Sequence, residues 1–180
     1  MKVIAMVANG TEECELLNVV DILRRAGVET KIVSIDGAEV VSSHGVKLIA
    51  DGAVENTDLT DCDLLFIPGG MPGSERLGGN EKLIAAIDKL LKSGKRVAAI
   101  CAAPALVLAA HGFLNGKKAT CFPSFEDRLT GATVMGARVV TDGNITTARG
   151  LGCSLELGLE IVKLLVGKDK ADEIKEKIIF

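Results

Sequence analysis

Short runs of apolar residues alternate with segments of helical periodicity along most of the 180 residues of the chain. Continuous apolar runs are typical of strands that are covered on both faces of a parallel sheet. They predict strands over residues 2–8, 29–35, 63–67, 97–101 and 117–121. Two hairpins are predicted over residues 40–50 and 137–148, where Gly, Asn, Asp and Ser separate short apolar runs.

Helices are predicted between these strands because apolar residues recur three or four positions apart. The first helix follows Thr11, a suitable N-cap residue, and ends at Gly27. Its apolar face carries Leu16, Val19, Val20 and Leu23. Further helices are predicted over residues 80–91, 104–110, 155–166 and 168–179, with a helical turn at 125–129 and a polar loop at 51–61.

This alternation predicts an α/β fold, a flavodoxin-like doubly wound sheet that is mainly parallel and has helices on both faces. No repeat, low-complexity tract or linker divides the sequence, so residues 1–180 are expected to form one domain. Ligands of such sheets bind at the carboxyl ends of the strands, where the direction of winding reverses. Functional residues are therefore expected directly after the predicted strands.

Charge and composition narrow the classes of partner. The net charge is −3 at pH 7, and the chain has no Trp, no Tyr and only five Phe. Without a basic stripe or stacking rings, nucleic acid is not expected to bind. No apolar span reaches membrane length, and the first ten residues suit a strand better than a signal peptide. A cytoplasmic protein that does not bind membranes is expected.

The histidines and cysteines do not form a recognisable metal or cofactor motif. The five cysteines are an odd set without a C-x-x-C pair, and the two histidines, His44 and His111, are far apart in the sequence. The sequence also lacks the G-x-G-x-x-G and G-x-x-x-x-G-K patterns of nucleotide sites. We therefore expect neither a metal nor a cofactor.

Cys101 occupies the most distinctive position in the sequence. A buried strand ends at this residue, and an Ala-rich helix begins at Pro104. A sharp strand-to-helix turn presents its apex side chain at the sheet edge, as the nucleophile elbow of hydrolases does. The helix N-terminus then favours a reactive thiolate. The alternative is that Cys101 is one more small, inert, buried side chain.

Other candidate groups follow the same sheet edge. Gly69 and Gly70 come directly after a predicted strand, and their N–H groups could bind an anion or a carbonyl oxygen, although such glycines more often form a plain turn. The helix dipole explains Glu12 and Glu13 in the first helical turn. Glu15 lies deeper in the helix and could point back over the sheet edge.

Four motifs, in order and over essentially the whole chain, resemble the DJ-1 branch of the ThiJ/PfpI superfamily. They are residues 9–15 (NGTEECE), 67–70 (IPGG), 99–104 (AICAAP) and 149–152 (RGLG). The resemblance implies a flavodoxin-like sandwich and a homodimer formed by the first helix and neighbouring loops. It also implies that Cys101 is a reactive, oxidation-sensitive cysteine and that Glu15 is the protonated carboxyl group beside it. Gly69, Gly70 and Ala102 match the residues whose N–H groups bind an oxyanion or a sulfinate oxygen.

Several residues depart from the patterns of this superfamily. Its protease branch has a histidine after the cysteine, where this chain has Ala102, and the His-x-Glu pair of class I amidotransferases is missing. Both departures count against an amide or ester hydrolase. Phe122 replaces the histidine of animal members, and His44 stands where an arginine is frequent.

Four residues are candidates for the edge of the site: Arg149, Phe122, His44 and Cys153. His44 falls in a predicted turn, where a histidine is more often solvated than catalytic. Cys153 and Cys121 could each pair with Cys101 or stay independent buried thiols, because geometry decides whether a disulfide can form.

The expected function is chemistry on small reactive carbonyls through a Cys101 thiolate assisted by Glu15, of the glutathione-independent glyoxalase or protein deglycase type. A carboxyl group facing a thiolate in a dry pocket resists ionisation, which raises its pKa and lets it shuttle a proton. The alternatives are an oxidative-stress sensor or redox-regulated chaperone built on the same cysteine and, more weakly, an amide or ester hydrolase.

Overall fold

The computed structural model describes all residues from Met1 to Phe180, and its strands and helices alternate along the chain. The strands are β1 (Lys2–Val7), β2 (Glu29–Ser34), β3 (Glu39–Val41), β4 (Lys47–Ile49), β5 (Gly52–Ala53), β6 (Leu64–Ile67), β7 (Arg96–Ile100), β8 (Lys118–Ala119), β9 (Thr133–Val134), β10 (Val139–Asp142) and β11 (Ile145–Ala148). The α-helices are α1 (Glu13–Arg25), α2 (Gly73–Gly78), α3 (Glu81–Lys92), α4 (Ser154–Leu165) and α5 (Lys168–Lys177).

Seven strands form the central sheet in the order β10-β11-β7-β6-β1-β2-β5. All neighbouring pairs are parallel except β10 and β11, which form an antiparallel hairpin at one edge. The chain moves from β1 to β2 on one side and then returns to place β6 on the other side of β1. The winding therefore reverses between β1 and β6, and the expected ligand crevice lies at the carboxyl ends of these strands.

Two hydrophobic clusters cover the two faces of the sheet, as a doubly wound fold requires. One contains the buried residues of α3 and of the segment that follows Cys101. The other contains the buried residues of α1, α4 and α5. Helices α1 and α4 approach closely at Gly158, where an added Cβ would lie 2.9 Å from Ile22 Cβ. None of the helices combines the length and the hydrophobicity of a membrane-spanning segment.

The predicted α/β fold is confirmed, but some predicted elements differ in detail. Helix α2 was not predicted, because its six residues are too few to show helical periodicity. The predicted helix after Cys101 is a π-helix over Pro104–Leu108 followed by a 3₁₀ turn over Ala109–His111. The expected loop at 51–61 contains β5, and β9 pairs in parallel with β8.

The N-cap prediction at Thr11 is wrong by one residue. The carboxylate of Glu12 caps α1 by accepting the N–H of Glu15 at 2.5 Å. The Thr11 hydroxyl instead accepts the backbone N–H of Ala8 at 3.0 Å, which closes the turn after β1. Because Glu12 starts the helix, Glu15 lies in the first turn, directly above the end of the sheet.

Candidate functional site

The loop after β1 and the loop after β6, which meet where the winding reverses, are in direct contact through their backbones. Glu12 donates its N–H to the carbonyl of Gly69 at 3.0 Å, and Gly70 has a φ of 94°. A Cβ at Gly70 would lie 2.2 Å from the nitrogen of Glu12, and one at Gly73 would lie 2.5 Å from the nitrogen of Thr11. Only glycine fits these positions, and the contact fixes the start of α1 over the end of β6.

Cys101 forms the turn after β7 in a strained backbone conformation. Its φ is 65°, in the left-handed region that residues other than glycine rarely adopt. The turn is held on both sides, because Cys101 donates its N–H to Ala148 at 2.9 Å and accepts the N–H of Phe122 at 2.8 Å. The side chain is partly exposed. A strained, tethered turn that exposes a nucleophilic atom is the arrangement expected of a nucleophile elbow.

Glu15 brings a buried carboxyl group to the thiol of Cys101. The residue is 1% exposed, and its Oε2 accepts the N–H of Gly69 at 2.9 Å. The N–H of Leu151 also lies near enough to lower the pKa of this carboxyl group. A Cβ at Gly69 would lie 2.4 Å from Glu15 Oε2 and 2.6 Å from Cys101 Cβ, so the glycine lets the two side chains meet.

The two side chains shift each other's ionisation. Burial, followed by the charge of Glu12, raises the pKa of Glu15 to about 7, although Cys101 and the N–H groups of Gly69 and Leu151 oppose the shift. Burial, followed by the charge and hydrogen bond of Glu15, raises the pKa of Cys101 to about 12. Two adjacent negative charges in a buried site repel each other, so near neutral pH the pair holds at least one proton.

The helix terminus, which was expected to favour the thiolate, does not by itself make Cys101 a thiolate. The N–H groups of Ala102 and Gly70 do lower the pKa of Cys101, but burial and the Glu15 carboxylate outweigh them. When the proton resides on Glu15, its charge disappears and its O–H can donate to the sulfur. The thiolate thus depends on the protonation of Glu15 rather than on the helix dipole.

The three predicted oxyanion residues divide into two groups. Gly70 and Ala102 direct their N–H groups at the Cys101 thiol. Gly69 is different, because its N–H donates to the Glu15 carboxyl group. Gly69 therefore positions Glu15 in this structure, which differs from its predicted role as an oxyanion donor.

Of the four residues predicted for the edge of the site, three lie together and the fourth lies elsewhere. Phe122, Arg149 and Cys153 line one surface depression, together with the turn over 150–152. His44 lies apart from this depression and places its Nδ1 3.3 Å from the Glu13 carboxylate. Since its side chain is 68% exposed, it is a surface histidine with an acidic neighbour.

All five cysteines are free thiols. Cys153 is 5% exposed, and Cys121 is fully buried with its thiol donating to the carbonyl of Phe122 at 3.3 Å. Burial raises the pKa of Cys121 to about 11. Neither is joined to Cys101, so the interpretation as independent thiols agrees with this structure.

Sequence reasoning missed two groups that hold Glu15 in place. The N–H of Leu151 lies near the carboxyl group and lowers its pKa, and Glu12 both caps α1 and contributes a nearby charge. Gly10 and Gly73 gave a partial signal, since paired loops rich in glycine indicate a close backbone approach. The identity of the Glu15 partners could not be read from spacing, because they come from three separate segments.

Comparison with known proteins places this geometry in a family. The sequence profile of the DJ-1/PfpI family matches residues 1–164. DJ-1 homolog B of Arabidopsis thaliana is 39% identical over 176 residues, which are 97% of this chain and 40% of that protein. A protein of Pyrococcus horikoshii named as a deglycase is 34% identical over 167 residues, which are 92% of this chain and 99% of that protein.

The solved structure of oxidized Toxoplasma gondii DJ-1 superposes with a TM-score of 0.96. The two chains are 36% identical, and the match covers 99% of this chain and 98% of the other. The present chain spans less than half the length of both Arabidopsis homologues that it matches, 40% of homolog B and 46% of homolog A. Fold, motif order and sequence identity agree, and the chain belongs to the DJ-1/PfpI family.

Proposed function

We propose that this protein acts on small reactive carbonyl compounds, as a glutathione-independent glyoxalase or a deglycase, through Cys101 and Glu15. The observation that carries the proposal is the buried Glu15 carboxyl group, with a pKa of about 7, beside the partly exposed Cys101 thiol. A group with this pKa can give and take a proton at neutral pH. The relative from Pyrococcus horikoshii that is named as a deglycase supports the same chemistry.

The first step joins the sulfur of Cys101 to the aldehyde carbon of methylglyoxal. The sulfur attacks while the proton of the pair resides on Glu15, and a carbon–sulfur bond forms as the carbonyl π bond breaks. Glu15 then donates its proton to the new alkoxide oxygen, which gives a neutral hemithioacetal and leaves Glu15 as a carboxylate. The carboxylate is then ready to act as a base.

The second step moves hydrogen within the bound substrate. The Glu15 carboxylate takes the proton from the former aldehyde carbon, and the electron pair passes to the neighbouring ketone, whose oxygen becomes an enolate. The hemithioacetal hydroxyl passes its proton to the enolate oxygen, and Glu15 returns its proton to the former ketone carbon as the carbon–carbon double bond breaks and a carbonyl forms at the carbon bonded to sulfur. The product is a lactoyl thioester on Cys101. Water then adds to the thioester and the thiol leaves, so methylglyoxal and one water yield lactate.

Gly70 and Ala102 supply the donors for the developing negative charge. Their N–H groups face the thiol, so an oxygen on the carbon bonded to sulfur lies within their reach. Both donors are backbone groups on fixed loops, because Gly70 packs closely against Glu12 and the turn before Ala102 is held by the hydrogen bonds of Cys101, so they do not have to reorganise during the reaction.

Lactate production from methylglyoxal tests the proposal. We expect turnover by the wild type and by Cys14→Ser, a matched control that removes an exposed thiol from the surface of α1. Cys101→Ser should make no lactate above the buffer rate. A wild-type protein that produces no lactate, or a Cys101→Ser variant that retains full activity, would refute the proposal.

An oxidative-stress sensor is the second candidate, and the oxidised state of the Toxoplasma gondii DJ-1 structure favours it. Peroxide would transfer one oxygen to the Cys101 sulfur to give a sulfenic acid, and a second peroxide would give the sulfinic acid, each losing its other oxygen as water or hydroxide. Mass spectrometry after peroxide titration should show two added oxygens on Cys101 before any other cysteine. If a redox-regulated chaperone is built on this step, Cys101→Ser should abolish the peroxide-dependent protection of a client protein.

No observation favours the hydrolase alternative. The imidazole of His44 contacts Glu13, and that of His111 contacts the carbonyl of Gly78 at 2.9 Å. Neither histidine is a partner of Cys101, so the cysteine–histidine pair of thiol hydrolases is missing.

A homodimer remains part of the proposal. Large apolar side chains are exposed on α1 and on the β3–β4 hairpin, at Leu17, Val41, Val46 and Ile49. The hairpin is bonded to the turn before α1, since Gly10 donates its N–H to Val41 at 2.9 Å. Sedimentation velocity should show twice the mass of the chain, and charged substitutions at Leu17 and Ile49 should shift it toward the monomer.

A further inference from the structure

A surface depression of about 270 Å³ lies beside the Cys101–Glu15 pair. Seven residues line it: Phe122, Pro123, Arg149, Gly150, Leu151, Gly152 and Cys153. One wall is bonded to the turn of the reactive cysteine, because Phe122 donates its N–H to the carbonyl of Cys101 at 2.8 Å, and the N–H of Leu151 lies near enough to Glu15 to lower the pKa of its carboxyl group. The depression therefore borders the turn that carries Cys101, although the lining itself contains neither Cys101 nor Glu15.

The rim of the depression is apolar and accessible. Phe122 is 45% exposed and Leu151 is 47% exposed, although both side chains are large and hydrophobic. The Phe122 ring lies against the backbone of Gly150, where an added Cβ would be 3.3 Å from the ring. Exposed apolar side chains that share the rim of one shallow depression are typical of a binding site.

The positively charged side chain in this depression, Arg149, already has partners within the protein. The Arg149 guanidinium lies 3.2 Å from the Glu126 carboxylate and donates to the carbonyl of Gly136 at 3.2 Å. Its charge is therefore balanced within the protein, and an anionic substrate group would have to displace Glu126. The apolar side chains, rather than Arg149, remain available to a ligand.

We propose that this depression is a subsite for an apolar substituent on the substrate, so that the preferred substrates are α-oxoaldehydes carrying an aromatic or branched alkyl group. The inference rests on the proposed function and specifies its substrate class. Phe122 and Leu151 are the residues that set this preference. Burying several additional apolar carbons in a matched pocket changes kcat/KM by about 10-fold or more.

Comparing phenylglyoxal with methylglyoxal tests the preference. The wild type should show a kcat/KM for phenylglyoxal at least about 10-fold above that for methylglyoxal. Phe122→Ala and Leu151→Ser should each lower the ratio of the two values toward 1. Phe180→Ala removes an aromatic ring that is 50% exposed at the end of the chain, far along the sequence from this rim, and should keep the wild-type ratio.

A second measurement tests whether the subsite binds an apolar group, and it does not require catalytic turnover. The rates at which N-phenylmaleimide and N-methylmaleimide modify Cys101 are followed by mass spectrometry and normalised to a free thiol. The wild type should favour the phenyl reagent by about 10-fold, and Phe122→Ala should lose most of this preference. Equal normalised rates for both reagents would overturn the subsite.

The two assays separate the possible failures. Turnover of both aldehydes without a phenyl preference overturns this inference but leaves the proposed function intact. Absence of turnover overturns the proposed function and the substrate class together, even if the maleimide preference shows that the apolar subsite exists.

Discussion

Glu13 and Glu15 lie two residues apart in the first turn of the same helix, yet their surroundings give them opposite properties. Burial acts to raise the pKa of Glu13, but its own backbone N–H, the Ser42 hydroxyl and His44 outweigh it, so the pKa of Glu13 falls below its ordinary value. The pKa of Glu15 rises to about 7, with burial as the largest cause. Glu13 is 9% exposed and Glu15 is 1% exposed.

The difference shows that position in a helix does not decide how a carboxyl group ionises. Both carboxyl groups are close to the helix N-terminus, which favours a negative charge. Glu13 points to a surface that supplies hydroxyl and imidazole partners. Glu15 points toward a thiol that also becomes negative when ionised, and in the proposed reaction this neighbour is the group with which Glu15 shares its proton.

Replacing the carboxyl group of Glu15 by an amide should have the largest effect on turnover, while the same replacement at Glu13 should have almost none. Glu15→Gln removes the proton shuttle, so methylglyoxal turnover should fall by about 10²- to 10⁴-fold. Glu13→Gln, the matched control, should retain turnover within about 2-fold, since the Glu13 carboxylate contacts Ser43 and His44 rather than Cys101. The kcat of both variants provides the measurement, and equal losses in the two would remove the distinction between the two carboxyl groups.

Displacing Glu15 without altering it should have the next largest effect. In Gly69→Ala, the new Cβ would lie 2.4 Å from Glu15 Oε2 and 2.6 Å from Cys101 Cβ, so the two side chains cannot keep their present positions. A misplacement of this size should lower turnover by about 10²-fold.

Gly79→Ala serves as the control for that change. A Cβ at Gly79 would make ordinary contacts, the nearest at 3.5 Å from the carbonyl oxygen of Glu75. Its turnover and thermal unfolding should match the wild type. Full activity in Gly69→Ala would mean that the close approach of Glu15 and Cys101 is not needed.

The pH dependence of stability should have opposite signs for the two carboxyl groups. The raised pKa of Glu15 costs stability as the pH rises from about 4.5, the ordinary value, through about 7. Glu15→Gln removes this cost, so its free energy of unfolding relative to wild type should rise across this range by on the order of 3 kcal/mol. Urea unfolding at pH 4 and pH 8 measures the change.

Glu13→Gln should show the reverse trend. The lowered pKa of Glu13 stabilises the fold above its ordinary value of 4.5, and this contribution disappears as the pH falls through the folded-state pKa. The variant should therefore be less stable than wild type at pH 8 and approach it in acid. Parallel trends for the two variants would contradict the assigned pKa directions.

Removing the surface partner of Glu13 should have the smallest effect. His44→Ala deletes a side chain that is 68% exposed, so the free energy of unfolding should change by less than about 1 kcal/mol. The pKa of Glu13 should rise toward its ordinary value, while turnover stays unchanged. A large loss of activity would place His44 within the catalytic site, in contrast to its position in this structure.

Much of the fold could be predicted because it depends on local patterns. The buried runs that became β1, β6 and β7 are continuous in the sequence, and the end of β7 places Cys101 at a turn. The boundaries that failed depend on contacts between distant segments. Glu12 rather than Thr11 caps α1 because the Thr11 hydroxyl bonds to Ala8, and spacing alone could not show this competition.

The sequence was sufficient to predict which residues form the site, but not which hydrogen bonds they make. Cys101 and Glu15 were candidates from the strand end, the helix position and the resemblance to a family. The use of the Gly69 N–H by Glu15, and the high pKa that burial gives the thiol, depend on how tightly three segments pack. Such distances are set by tertiary packing, to which a single sequence gives no direct access.

The ionisation of Glu15 itself tests the central claim most directly. Carboxyl carbon resonances of glutamate-labelled protein can be titrated by NMR and assigned with Glu13→Gln and Glu15→Gln. We predict that Glu15 titrates near pH 7, while Glu13 titrates below its ordinary value of 4.5. If Glu15 also titrates at or below 4.5, it does not hold a proton beside Cys101 at neutral pH, and the proton-sharing pair on which the proposed chemistry depends does not exist.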